Sequence, residues 1–223
     1  MKDPYPSSIK EIFNSNNVYH LPLYQRQYSW GDKELKKFKE DMDLVWESTG
    51  DSTPEQIFLG AVVLQSQETQ NISVNYYNII DGQQRLTTIY LTILALAEHA
   101  LENGWDNFAN ELLPILKLNT HPETDLPKIR PTNDDLNQFN YLLSKVRREN
   151  FDIKAISDPR GDDDGKLVYA YNYVKNEIVE KLYDLLNLDK KNDSSVRQFF
   201  TNFGENFVIA LVTLDHKTHD PNQ

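Results

Sequence analysis

The sequence predicts an α+β fold: a small mixed sheet around a central buried helix, followed by a mainly helical region and a late strand. Three observations lead there. The longest apolar stretch, Leu86 to Ala97, is broken only by Thr87, Thr88 and Thr92, the pattern of a helix buried on most sides. Three short runs rich in β-branched and aromatic residues, Ile57–Leu64, Tyr76–Ile80 and Phe207–Leu214, read as buried strands. Between them, apolar residues recur at three- and four-residue spacing through most of 106–203, as amphipathic helices require. A chain of 223 residues suffices for one large domain or two small ones. We divide it into a core over 1–105 and a mostly helical extension over 106–223, whose final strand returns to the core.

In chain order, Ser7–Asn14 reads as a short helix with Ile9, Ile12 and Phe13 on one face. Val18–Pro22 follows as an edge strand, because Pro22 cannot donate to a ladder. Asp32 caps a helix to about Glu47, with Leu35, Phe38, Met42, Val45 and Trp46 on its inner face. Its lysines alternate with acids, the mark of a solvated face. Gly60 inside the next strand predicts a bulge or a close backbone approach. Residues 65–75 connect to the strand that feeds the central helix, Gln84 to Glu102, which ends at Gly104. Further helices are expected over 106–118 with a kink at Pro114, over 133–148 capped by Thr132, over 167–188 and over 195–203, with a short strand at Lys128–Arg130.

Composition narrows the function. A net charge of −11 argues against a chain that coats duplex DNA with its whole surface, since non-specific affinity comes from phosphate neutralisation. A local basic groove stays compatible with it. The absence of cysteine excludes disulfides and thiolate metal sites. The N-terminus lacks the apolar run of a signal peptide, and the apolar stretch at 86–97 falls short of a membrane span, so a cytoplasmic protein without membrane contact is expected. The acidic loop over 157–165 does not have calcium-loop spacing, and the tail from Asp215 to Asp220 reads as a solvated terminus, not a metal site. No phosphate-binding GxxxxGK[ST], GxGxxG or HExxH pattern occurs.

Two motifs carry chemistry. Ile80-Asp81-Gly82-Gln83-Gln84-Arg85 is a strand ending, a glycine turn and a helix start. There the first unpaired amides and the positive end of the helix dipole converge, the usual arrangement for holding phosphate. Asp81 and Gln84 have the spacing of a capping box. On the residues alone this is either a well-capped helix with Arg85 as a surface cation or an anion site. The second motif, Tyr24-Gln25-Arg26-Gln27-Tyr28-Ser29-Trp30, would place Tyr24, Arg26, Tyr28 and Trp30 on one face if extended. Such a stripe stacks a base beside a phosphate, or else buries Tyr28 and Trp30 in the core.

Leu21–Trp30, Phe58–Val63 and Ile80–Thr88 together resemble, in order, the N-terminal domain of GmrSD-type restriction endonucleases, itself similar to the ParB/sulfiredoxin-like fold. The resemblance implies nucleotide binding and hydrolysis, coupled in the full proteins to cutting modified phage DNA. By position it implies phosphate contacts from Arg85 and the amides of Gly82, Gln83 and Gln84, with Arg26 completing the anion site. Tyr24 or Tyr28 would lie near the base, with Gln25, Thr88 and Arg130 as further nucleotide contacts. Asp81 would hold Mg2+ or its water shell, and Gln83 or Gln84 would orient water; Asp81, Gln83, Gln84 and Arg85 are thus the implied catalytic set. The implied cofactor is an NTP (GTP, UTP or CTP) with Mg2+. The implied partners are the nucleotide and, through a full-length protein, modified DNA, with room for a homo-oligomer. The Phe-Glu-x-x-Asn-x-Arg-Gly segment and the C-terminal HNH-type nuclease domain of such proteins are missing before Gln223, so a nuclease active site is not expected in this chain. The rival reading is a DNA-sensing module in which Arg26, Tyr28 and Trp30 contact modified DNA and no nucleotide is hydrolysed. A small ParB-like nuclease is a third, disfavoured by the lack of a carboxylate–histidine metal cluster.

Overall fold

A computed structural model describes residues 5–47, 56–68, 73–118, 126–146, 165–181 and 193–214. Within these, one six-stranded mixed sheet and seven α-helices make a mixed α/β fold. The strands are β1 (Tyr5–Ser8), β2 (Asn17–His20), β3 (Ile57–Ser66), β4 (Asn75–Asp81), β5 (Ile129–Arg130) and β6 (Phe207–Leu214). The helices are α1 (Ile9–Asn14), α2 (Asp32–Glu47), α3 (Gln83–Glu102), α4 (Asp106–Leu116), α5 (Leu136–Ser144), α6 (Lys166–Val174) and α7 (Ser194–Asn206). A π-helical turn, Lys175–Val179, continues α6.

The sheet runs β1-β6-β3-β4-β2-β5. β6, last in sequence, lies parallel to β3 and antiparallel to β1, so the two ends of the described chain are joined in one sheet. β3 and β4 are antiparallel, whereas β4, β2 and β5 run parallel. β1 was not expected from sequence. Its four residues make a ladder only because β6 supplies the partner.

α3 is the axis of the core. Of its 20 residues, 17 are buried, from Gln83 to Ala100 with Arg85 the one exception in that span. Each fully buried Leu or Ile there contributes about 1.5–3 kcal/mol of transfer free energy, so packing rather than helix propensity holds the element. Its threonines avoid an unpaired hydroxyl by bonding backward: Thr88 Oγ1 donates to the Gln84 carbonyl and Thr92 Oγ1 to the Thr88 carbonyl, both at 2.9 Å.

Several expectations need correction. β2 is not an edge strand; it lies between β4 and β5, and Pro22 falls beyond its end, where no ladder bond is lost. α1 starts at Ile9 because Ser8 and Glu11 form a capping box ahead of it. α5 begins at Leu136, not Asn133, and Thr132 is not its cap. The Asp135 carboxylate is committed elsewhere, as described below. The expected kink at Pro114 falls inside α4 without ending it. The inner face of α2 buries Leu35, Phe38 and Met42 as predicted, while the side chains of Val45 and Trp46 lie outside the described residues. So do the acidic loop up to residue 164, the end of the helix expected to reach 188, and the tail from 215.

Candidate functional site

β4 delivers the chain to Gly82, whose φ of +87° places it in the left-handed region. A Cβ there would sit 2.6 Å from Val62 Cγ2 and 3.0 Å from the Ala61 carbonyl oxygen, so glycine is required by both conformation and space. The start of α3 is thus pressed directly against β3. Gly82, not Asp81, is the N-cap, and no side chain caps the helix. The predicted Asp81–Gln84 capping box does not form. Asp81 instead turns back on the next peptide, its Oδ1 accepting the Gly82 N–H at 2.7 Å.

Gln84 is absorbed by the second motif. Its Oε1 accepts the Ser29 N–H at 2.8 Å and its Nε2 donates to the Gln27 carbonyl at 3.3 Å. Gln83 Nε2 donates to the Arg26 carbonyl at 2.9 Å, and Gln25 Nε2 donates to the Ile80 carbonyl at 2.9 Å. The Tyr28 N–H is taken by Asp135 Oδ2 at 2.7 Å. Residues 26–30 belong to no helix or strand, so these side chains supply the partners that a ladder would otherwise provide.

The stripe expected from an extended motif is broken by this arrangement. Tyr24 is 73% exposed and Tyr28 only 4%, so they face opposite ways. The Tyr28 hydroxyl shares a 2.8 Å hydrogen bond with Thr88 Oγ1 in the interior. Burial drives the Tyr28 phenol well above its ordinary pKa, so it stays a neutral donor. Burial likewise raises the Asp135 carboxyl, though its bonds from the Tyr28 amide and Thr132 oppose the shift.

Across the turn, Arg85 Nη1 donates to the Ala61 carbonyl at 2.9 Å. Its guanidinium lies over Gly60, where a Cβ would come within 3.0 Å of Arg85 Cζ. Gly60 has φ +103° and coincides with a register shift between Phe58 and Ala61 against β6. The bulge and the close approach foreseen for Gly60 are therefore one feature: it makes the seat for Arg85.

The two motifs enclose a polar cavity of about 180 Å³ lined by Gln25, Arg26, Trp30 and the run Asp81 to Arg85. Gln83 is only 6% exposed, and its Oε1 has no hydrogen-bond partner. Arg26 and Arg85 are paired with no carboxylate among the described residues. Of the sequence-selected residues, Tyr24, Tyr28, Thr88 and Arg130 do not line this cavity. Tyr28 and Thr88 lie beneath it as a buried support. Arg130 stands on β5 in register with His20, whose imidazole is lowered in pKa by burial and then by the Arg130 charge.

Sequence reasoning passed over Ala61, whose carbonyl holds Arg85, and Asp135, which holds Tyr28 from 107 residues away. Neither has a local signal. Among the described residues no group of three or more His, Cys, Asp or Glu suits a metal ion, and no helix is long and apolar enough to cross a membrane.

Fold and site together define a mixed α/β domain whose two separated motifs close on one polar cavity flanked by two arginines. A family model of the GmrSD restriction endonuclease N-terminal domain matches residues 9–220. The chain belongs to this family, and a role in restriction follows from the membership. No curated protein matches the chain.

Proposed function

We propose that the cavity binds the phosphates of a nucleoside triphosphate (GTP, UTP or CTP) and that the domain hydrolyses it as the regulatory part of a modification-dependent restriction system directed at phage DNA. One observation carries this reading: Arg26 and Arg85, without a carboxylate partner among the described residues of a strongly acidic chain, border the same cavity as the glycine turn at the start of α3. Two guanidiniums and a helix start are the groups that stabilise charge on a transferring phosphoryl group. The resemblance of the Asp81–Arg85 motif to ParB-like chains, which implies a phosphate-binding turn at this place, supports it.

Asp81 fits a Mg2+ role by the chemistry of its donors. One carboxylate oxygen is held by the Gly82 amide, which leaves the other available, and Mg2+ is typically held by one or two carboxylates with the substrate phosphates and water. Bound there, the ion would neutralise phosphate charge. Of the two glutamines, Gln84 has both ends of its amide engaged. Gln83 keeps a free Oε1 and is the residue we assign to orienting the attacking water. Hydrolysis would convert NTP and water into NDP and inorganic phosphate, the pair of electrons of the broken Pγ–O bond leaving with the β-phosphate.

A DNA-sensing role has its own support. Leu23 and Tyr24 are 79% and 73% exposed next to Arg26, a surface suited to a macromolecule more than to a small ligand. Tyr28 takes no part in such a surface, being buried.

Calorimetry with GTP, UTP, CTP and ATP in the presence of Mg2+ tests the proposal. We expect at least one nucleotide to bind, and Arg85→Ala to weaken it about 30-fold or more, equivalent to about 2 kcal/mol for a lost charge-assisted bond. Absence of binding by all four, or undiminished binding by Arg85→Ala, overturns it.

A further inference from the structure

We infer that the nucleobase of the bound nucleotide sits in a second, apolar cleft on the far side of Trp30, formed by β3 and α2, and not against the tyrosines of the first motif. The inference rests on the phosphate-binding reading above and specifies the other half of the same ligand.

The cleft has a volume of about 400 Å³, with Trp30, Phe38 and Leu59 among its walls and Lys33 and Lys37 on the α2 side. It shares Trp30 and Arg85 with the polar cavity, so the two adjoin at those side chains. The polar cavity alone, at about 180 Å³, is below the size range of small-ligand pockets, roughly 300–1,000 Å³. Together with the cleft it comes within that range. The chemistry divides in the same way: guanidiniums, amides and a helix start at one end, an aromatic-walled apolar slot at the other. A nucleotide has that polarity.

Trp30 is the group suited to stacking a base. Its indole is half-buried and backed by Phe38, with ring centroids 6.2 Å apart. The backbone on either side is held in place: the Ser29 amide by Gln84, the Ser29 carbonyl by Lys166 Nζ at 3.3 Å, and the Gly31 amide by Glu34 Oε2 at 3.1 Å. An aromatic face fixed before binding loses little entropy on stacking. The tyrosines expected to serve this purpose do not suit it. Tyr28 is interior, and Tyr24 does not line either cavity. Glu34 and Asp41 also line the cleft and supply carboxylate acceptors for the N–H edge of a base. Lys37 is paired with Asp41 at 2.9 Å, which leaves Lys33 and Arg85 as the cleft cations without an ion pair among the described residues to meet the ligand's negative charge.

The test compares each nucleoside triphosphate with inorganic tripolyphosphate, both with Mg2+, by calorimetry and tryptophan fluorescence on the full chain. In the wild type the nucleotide is expected to bind at least about tenfold tighter than tripolyphosphate, the range of one base–aromatic stack, and to change tryptophan emission more than tripolyphosphate does, a difference that Trp30→Ala removes. Trp30→Ala, which also removes one wall of the polar cavity, should weaken nucleotide binding more than tripolyphosphate binding and so narrow the gap between them. Leu59→Trp, which fills the cleft and replaces no residue lining the polar cavity, should bring the two affinities together while leaving tripolyphosphate binding in place, which also reports that the polar cavity is still folded. Equal affinities in the wild type, or a nucleotide preference that survives both variants, overturns the base subsite and leaves the phosphate site standing. A single-stranded oligonucleotide losing affinity in both variants while the free nucleotide does not would also overturn it, as the cleft would then take a base of DNA. Failure of both nucleotide and tripolyphosphate to bind the wild type overturns the phosphate reading together with this one.

Discussion

Each end of α3 carries a polar cluster, and the two clusters are built on opposite terms. At the C-terminal end, Glu98 lies at the meeting point of α3, α5 and α6. It receives Lys175 Nζ at 2.9 Å, Lys145 Nζ at 3.4 Å and the Tyr171 hydroxyl, while Lys175 also reaches Glu102 at 2.8 Å. The charged groups there have opposite charges as partners. At the N-terminal end, Arg26 and Arg85 face a cavity without an ion pair among the described residues, Gln83 leaves a buried oxygen unused, and two glycines with positive φ hold the walls together. A buried polar group left unsatisfied costs about 1–3 kcal/mol, a cost that the proposed ligand would offset at the cavity. The first cluster makes the structure. The second is kept incomplete by it.

The largest expected effect comes from removing the acid at the structural end. Glu98→Ala strands Lys145 and the buried Tyr171 hydroxyl and leaves Lys175 with Glu102 alone, so we expect a loss of about 3 kcal/mol, the lower end for a broken buried pair, seen in chemical denaturation, with nucleotide affinity unchanged. The same group governs the acid limit of stability. Burial raises the Glu98 carboxyl, but Tyr171, Lys175 and Lys145 outweigh it and hold the group below its ordinary 4.5. A carboxylate lowered in the folded state contributes stability above its unfolded pKa and loses it as pH falls past 4.5 toward the folded value. Glu98→Gln should therefore flatten the decline of stability with pH in that window. An unchanged decline would assign it to other acids and blur the contrast between the two ends.

Gly60→Ala probes the opposite end. A side chain at φ +103° is strained by about 1–3 kcal/mol, and its Cβ would meet the Arg85 guanidinium at 3.0 Å. We expect lower stability together with weaker nucleotide binding, since the substitution displaces Arg85 from its seat. Retained affinity in a destabilised Gly60→Ala would separate the arginine's position from its function. The smallest effect is expected for Thr88→Val, which removes the partner of the Tyr28 hydroxyl under the cavity. It should cost about 1 kcal/mol in thermal stability and only slightly weaken binding. A large binding loss would mean that the buried support tunes the site more than its lining does.

Legibility in the sequence followed how local each feature is. The strand-to-helix turn at Asp81–Arg85, the helix over α2 and the bulge at Gly60 are set by neighbours within a few residues, and each was readable from spacing and residue type. The capping box failed because Asp81 and Gln84 each had a better partner: the adjacent amide for one, and Ser29, 55 residues earlier, for the other. The one-face stripe over Tyr24 to Trp30 failed for a related reason. A two-residue period holds only when a ladder keeps the backbone extended, and this segment has side-chain partners instead of a neighbouring strand.

By itself, then, the sequence determined which segments are apolar enough to be buried, where the central helix begins, and that two arginine-bearing motifs stand on either side of a strand pair. Those are consequences of residue type and short-range spacing. Only the tertiary structure decided that the motifs meet, that Tyr28 turns inward to Thr88 while Trp30 is left at the boundary of two cavities, and that β6, the late strand expected to return to the core, takes β3 and β1 as its partners. Each of these depends on contacts between residues tens to more than a hundred positions apart, for which a single sequence carries no periodic signal. The Asp81–Arg85 turn was visible as a capped helix start or an anion site. Packing against Gly60 and Ala61 turned it into one wall of a cavity, with the backbone of 25–30 as the other.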